Sequence, residues 1–505
     1  MSVPPPTRPD PKAREDAPPP VRFAQSVLQL TAGAAATQVL AFALAPIIAR
    51  LYSPEAFGAA ATFASALAIL VTIVTLRYEL AILLPESARK AAAVAWGALL
   101  IVVVLSALLF LPLVLLRART WDSVPWSLLA YPKFLPWAVL LSGVTVVLVY
   151  WGIRHEKFGL LSTNRVVSAS VAEAGRLALG LLGRDAASSL IVANMVGVLA
   201  GIIVLARGMR NQLGLFLRVR LPEAASTLRQ YYKFPLFASW AGVLNTLSHQ
   251  ITPLVLGGFF AAQVVGYYAQ ANRVTITPLI LLSTAITQVF ARSAARARLQ
   301  GGLDALTTAT ARNMLRLAWY PALALLCLGP ELTSWFLGGP WAEAGRYAQI
   351  LSLWMLTTLI SDPLSALYAV LERQELGLAL NLVLLVLRVG GLAIGGLRGD
   401  PVLALALFAG SGAAVNLAQT VLLVRLARGR LIPMLSTGVV CLVFTAPLLL
   451  LTAARPFLGG APGVAVYITL AGGLCYVGLW VASDRQIRRM AAALWRDLWH
   501  RRPKA

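Results

Sequence analysis

The chain has 505 residues, 59% of them hydrophobic and 12% charged, with mean hydropathy +0.76 and a net charge of +23. Charged residues make up about a quarter of an ordinary soluble protein, so this composition excludes both that class and a disordered chain. Apolar runs near the ~20-residue length of a membrane-spanning helix recur from end to end. The chain therefore reads as an all-α polytopic membrane protein.

The first segment, 1–25, carries Pro4, Pro5, Pro6, Pro9, Pro11, Pro18, Pro19 and Pro20. It lacks the basic-then-apolar start of a signal peptide and reads as a disordered cytoplasmic tail. Fourteen spans are then predicted. Six fall at 26–49, 57–83, 91–116, 134–153, 160–182 and 188–206. The longest connection, 207–233, divides them from eight more at 234–259, 264–290, 313–336, 347–370, 376–397, 401–424, 433–453 and 463–482. Short connections carry turn chemistry, as in Ser53-Pro54, Gly338-Gly339-Pro340 and Gly399-Asp400-Pro401. In the final segment, 484–505, Ile487, Met490, Leu494 and Leu498 recur at helical spacing, and Arg485, Arg488, Arg489 and Arg496 fall largely elsewhere. That pattern predicts an amphipathic helix lying on the inner leaflet.

Basic residues are distributed asymmetrically. With the N-terminus inside, cytoplasmic segments hold 29 Lys and Arg and outer loops hold 8. The bias predicts both termini in the cytoplasm and accounts for the positive charge without nucleic acid. Cys327, Cys441 and Cys475 all lie within apolar runs and read as small core residues.

Residues 50–66 and 257–274 resemble each other at a shift of 208. Each turns on a bulky residue plus glycine (Phe57-Gly58, Val265-Gly266) and opens an apolar helix. Both turns fall on the predicted outer side, so the repeat would be parallel, about an axis along the membrane normal.

Ionisable residues inside spans are costly and mark functional candidates. Arg77 and Glu79, at i,i+2, are predicted on different sides of one helix. Glu173 and Arg176, at i,i+3, fit a self-neutralising helix pair, with Arg165 on the same span. Arg316 is placed at the interface. Asp362 precedes Pro363, which suits either a kink or an ion site. Arg273 and Arg388 are deep and lack an acidic neighbour at helical spacing, which predicts an aqueous cavity. An arginine-rich cavity suits an anionic headgroup, because guanidinium forks onto phosphate oxygens and keeps its charge. Asn245, His249, Gln250, Gln270 and Asn272 add hydrogen-bonding capacity. Gln38, Asn416 and Gln419 fit helix-to-helix bonding equally well, and Gly197/Gly201 and Gly391/Gly395 have the spacing for close helix approach.

The sequence holds no phosphate-cradling glycine loop, no paired histidines at metal-ligand spacing and no outer loop of domain size. No catalytic residue, metal site or cofactor is predicted.

Several stretches resemble a known family. They are Ala49-Arg50-Leu51-Tyr52-Ser53-Pro54-Glu55 with Leu76-Arg77-Tyr78-Glu79, then Tyr231-Tyr232-Lys233-Phe234-Pro235, then Val265-Gly266-Tyr267-Tyr268 with Ala271-Asn272-Arg273, and Gly329-Pro330-Glu331-Leu332 through Trp341 to Asp362-Pro363. The chain resembles the polysaccharide flippases (Wzx-like, O-antigen and exopolysaccharide) of the multidrug/oligosaccharidyl-lipid/polysaccharide exporter superfamily. The resemblance implies two six-helix lobes, 26–206 and 234–424, in a V around a central cavity, with a cytoplasmic linker at 207–233 and two further spans in 425–483. It implies flipping of an undecaprenyl-diphosphate-linked oligosaccharide across the bacterial inner membrane by alternating access. Arg77, Arg273, Arg388, Asn245, His249, Gln270 and Asn272 would serve the diphosphate and glycan, and Glu79, Glu173 and Asp362 ion coupling or gating. Membrane lipids, a polysaccharide polymerase and a chain-length regulator would be partners. A cation-coupled drug exporter of the same superfamily and a membrane glycan polymerase or ligase are the alternatives.

Overall fold

The computed structural model describes residues 20–111, 131–183, 187–453 and 462–483. No strand occurs among them, as expected where lipid cannot satisfy open backbone groups. The long helices are α1 (Pro20–Leu51), α2 (Pro54–Val74), α3 (Ala88–Leu108), α4 (Leu135–Arg154), α5 (Phe158–Leu181) and α6 (Ala187–Gly208), which pack together as a first bundle. A second bundle holds α7 (Ser239–Phe259), α8 (Ala262–Thr275), α9 (Thr277–Gln300), α10 (Leu303–Leu337), α11 (Ala342–Leu364), α12 (Gln374–Leu397) and α13 (Pro401–Leu426). The remaining α14 (Ile432–Phe444), α15 (Ala446–Ala453) and α16 (Pro462–Ser483) lie against α10.

Ten helical segments among the described residues are long and apolar enough to cross a membrane. The chain is a multi-pass membrane protein. The predicted spans outside that set are those containing α5, α7, α8–α9 and α10: α8 has only 14 residues, and α5 and α7 carry polar side chains such as Glu173, Arg176, Asn245 and His249.

The structure corrects several predicted boundaries. The span at 57–83 is broken: α2 ends at Val74, Leu76 and Arg77 take left-handed conformations (φ 49° and 60°), and a separate turn of helix runs Tyr78–Ala81. The span at 264–290 divides at Ile276, before Pro278. The span at 433–453 divides at Thr445, before Pro447. In each of these two, the proline cannot supply the backbone donor that continues the helix. Residues 20–25, predicted as tail, are the start of α1. The predicted features at 1–19 and 484–505 lie outside the described residues.

The linker 207–233 is not a plain connection. Its amphipathic helix Leu221–Gln230 docks on α3 of the first bundle. Arg89 donates twice to the Glu223 carboxylate, at 2.7 and 3.0 Å, and the Tyr78 hydroxyl donates to the Leu228 carbonyl at 3.2 Å. One end of the molecule is thus the linker end. The other, distal, end carries the α1–α2 and α7–α8 turns.

The α1–α2 turn is capped by Ser53, whose hydroxyl accepts from the Ala56 amide, with Pro54 opening α2. The two bundles meet along α2, which packs on α7 and α8. Contact is closest at Gly58. A Cβ there would stand 1.7 Å from the Ala262 carbonyl oxygen and 2.8 Å from the Gly266 nitrogen. A Cβ on Gly266 would stand 1.9 Å from the Pro54 carbonyl oxygen and 3.1 Å from the Gly58 nitrogen. The predicted glycine pairs for close approach also pack tightly, Gly197 and Gly201 against α5 and Gly391 and Gly395 against α13.

Candidate functional site

The bundle interface holds a half-open cavity of about 260 Å³ near the distal end. Phe57, Phe63, Arg176, Asn194, Gln270 and Arg273 line it, drawn from α2, α5, α6 and α8. Behind this lining, in contact with both arginines, lies Glu173, which is 5% exposed. Arg176, one turn along α5, donates to Glu173 Oε1 at 2.7 Å. Arg273 reaches across from the second bundle and places Nη2 at 3.9 Å from the same oxygen. That Nη2 also donates to the Ala41 carbonyl of α1 at 2.7 Å. The Tyr52 hydroxyl donates to the Arg176 carbonyl at 2.8 Å, which fixes the backbone that carries the arginine.

Two guanidinium groups and one carboxylate leave the cluster with a net positive charge. Gln270 is 2% exposed, and its amide nitrogen has no hydrogen-bond partner among the described residues. Buried donors of this kind call for an acceptor. Two arginines and an unused amide donor on one cavity match an acceptor-rich anion.

Above the cavity the distal end is sealed by aromatic side chains. Trp341 sits in the turn Gly339–Trp341 before α11 and is 1% exposed. Its indole nitrogen donates to the Ala49 carbonyl of α1 at 2.8 Å. Its ring meets Phe57 and Tyr267 edge-on at 5.3 and 6.2 Å, and Phe42 stacks on Phe336 at 5.0 Å. These contacts join the two bundles.

The structure brings Arg273, Gln270 and Glu173 to one place and distributes the other predicted residues elsewhere. Arg388 on α12 lies inside the second bundle, with Trp354 and Phe408 rings at 4.8 and 4.9 Å. Asn245 and His249 are exposed on α7, and Asn272 is half-buried on α8. Asp362 accepts from the Ser283 hydroxyl at 3.5 Å. Arg77 and Glu79 form an ion pair at 3.5 Å, contrary to the expectation from i,i+2 spacing on a helix. The left-handed turn at Leu76 and Arg77 removes the helical geometry on which that expectation stood. The Arg77 guanidinium also lies against α7, where a Cβ on Gly242 would stand 2.1 Å from its Nη2.

The sequence accounts for Arg176 as half of a helix pair and carries no signal that singles out Asn194. The signal for Arg176 is its position inside a span, which a partner at i−3 accounts for without any neighbour from another helix. Gln250, one of the polar residues singled out for hydrogen-bonding capacity, bonds Ser65 at 3.1 Å between α2 and α7, whereas the Thr72–Thr246 bond (3.0 Å) has no signature in the sequence. Among the described residues no cluster of His, Cys, Asp and Glu has a metal-site arrangement.

Residues 47–346 match the family described as polysaccharide biosynthesis proteins. No curated protein sequence matches the chain. Solved structures share its fold at low identity. The lipid II flippase MurJ in an inward closed conformation is similar with a TM-score of 0.69 and 11% identity, covering 90% of this chain and 99% of that one. A multidrug resistance MATE family transporter of the MOP superfamily, in an inward-facing conformation, is similar at 0.57 and 15%, covering 81% and 98%.

Proposed function

Because the chain belongs to the polysaccharide biosynthesis protein family, we propose that it flips an undecaprenyl-diphosphate-linked oligosaccharide across the bacterial inner membrane by alternating access. The observation that carries this reading is the convergence of Arg176 and Arg273, from different bundles, on one cavity. A diphosphate carries the charge and the oxygens that two guanidinium forks and the Gln270 amide require. The glycan crosses through the polar interior while the prenyl chain stays in lipid. Both termini lie in the cytoplasm, which makes the distal end external and the linker end cytoplasmic. The aromatic seal at Trp341 then closes the outer side, and Arg77 with Glu79 forms part of the inner gate. Asp362 and Glu79 are the acids left for ion coupling. A polymerase and a chain-length regulator would receive the product at the outer face. No step requires a cofactor.

Export of cationic drugs, the alternative on the same fold, calls for an acidic lining. The excess of arginine over carboxylate around the cavity argues against it.

Deleting the gene in its native host and analysing lipid-linked oligosaccharides by mass spectrometry tests the proposal. A completed repeat unit should accumulate, and the wild-type copy, but not Arg273→Ala, should clear it. Unchanged lipid-linked pools with a finished polymer at the surface would refute it.

A further inference from the structure

The geometry of Glu173 goes beyond that of a structural ion pair. A single oxygen, Oε1, takes both arginines, and Oε2 is buried with no hydrogen-bond partner among the described residues. Its second oxygen thus keeps acceptor capacity that neither arginine uses. The cluster also retains unbalanced positive charge. Arg273 does not stay within its own bundle; it crosses to α1 and α5 and uses the same Nη2 for Ala41 and for Glu173. Whatever takes Arg273 from Glu173 therefore disturbs a bond between the bundles.

We infer that Glu173 is the resident counter-anion of the Arg176–Arg273 pair, and that the diphosphate of the incoming lipid displaces it. This inference rests on the diphosphate reading above. A diphosphate has more charge and more acceptor oxygens than a carboxylate and can fork onto both guanidinium groups at once. A singly bridging anion cannot, so Glu173 acts as a selectivity filter: it holds the arginines against small or singly phosphorylated competitors and yields to a diphosphate. The exchange draws Arg273 away from Ala41 and loosens α8 from α1, which links substrate arrival to separation of the bundles.

The test uses the purified full-length protein in detergent, with undecaprenyl diphosphate and undecaprenyl monophosphate as probes. Glu173→Gln should bind the diphosphate on the order of 10-fold more tightly, since one competing charge-assisted bond is gone. It should also narrow the preference for diphosphate over monophosphate. Equal or weaker diphosphate binding would overturn the exchange and leave Glu173 as a residue that positions the arginines. Arg176→Ala and Arg273→Ala separate the two claims. If they leave diphosphate binding unchanged, the diphosphate reading and the exchange both fall; if they weaken it while Glu173→Gln fails to tighten it, only the exchange falls. A second measurement needs no change at Glu173. Spin labels at Glu55 and Arg346, at the distal ends of the two bundles, should report a longer distance when the diphosphate is added, and an unaltered distance under saturating diphosphate would overturn the link to bundle separation.

Discussion

Gly58 and Gly266 touch each other's helices in the same way. The backbone of residue 262 lies over Gly58, and the backbone of residue 54 lies over Gly266. The two positions differ by 208, the shift of the weak internal repeat, and so do 54 and 262. A reciprocal contact of this kind is what a two-fold axis produces between like surfaces. The bonds below the glycines repeat the pattern to within one residue: Ser65 pairs with Gln250, and Arg273, at 208 beyond Ser65, pairs with Ala41. The thin sequence repeat thus has a physical meaning, a pseudo-two-fold axis running between α2 and α8.

Alanine at either glycine should be disruptive to a similar degree. The opposing atoms are backbone and cannot rotate aside, so each substitution should destabilise the protein by about 1–3 kcal/mol, the usual effect of overpacking. Melting of Gly58→Ala and Gly266→Ala in detergent checks this, and a large difference between them would argue against the axis.

Arg273→Lys should fail where a point charge would suffice. Lysine keeps the charge but loses the planar fork that a diphosphate would engage. Complementation of the deletion strain should fall on the order of 10-fold or more, the scale of one charge-assisted hydrogen bond. Full complementation would show that only charge matters.

Trp341→Phe isolates one bond of the distal seal. It keeps a ring against Phe57 and removes the donor to the Ala49 carbonyl, worth about 0.5–1.5 kcal/mol. A cysteine at Ala61 on the cavity wall should then react faster with a membrane-impermeant thiol reagent added from outside. Trp341→Ala should increase the rate further, because it also opens a void.

Gly242→Ala should resemble Arg77→Ala in transport while leaving folding intact. The atom that an added Cβ meets is the far end of the Arg77 side chain, which can swing away. Displacing it breaks the Arg77–Glu79 pair without touching backbone. Parallel complementation and melting assays separate this outcome from simple misfolding. The left-handed Leu76 and Arg77 add local strain of about 1–2 kcal/mol each, as expected where a helix must be re-aimed.

The linker's hold on α3 should weaken in acid. Hydrogen bonding from Arg89 holds the Glu223 carboxyl below its ordinary value. A lowered folded value means that the contribution is complete above the ordinary glutamate range, about pH 4.3, and is lost as pH falls through the lowered one. Hydrogen exchange of Leu221–Gln230 should be protected near neutrality and become partly less protected below about pH 4. In Glu223→Gln protection should be weaker and should not respond to pH over that range.

Sequence alone determined the class of the protein, most of its spans and the identity of its costly residues. It did so because in a bilayer each helix must satisfy its own backbone, so hydropathy reports helices one at a time. It also showed Arg273 to be deep and unexplained by its own helix, and the close-approach glycines on α6 and α12 were legible from spacing. Partnership was not legible. Windows of three and four residues paired Glu173 with Arg176 and stopped there, whereas the structure adds an arginine 100 residues away on another bundle. They separated Arg77 from Glu79 by assuming a helix that two left-handed residues break. Arg388 looked like Arg273 in sequence, yet aromatic rings flank one and the bundle interface holds the other. Only tertiary structure decided these pairings, because the charge a buried arginine faces depends on which helices pack beside it, and local periodicity carries no record of that.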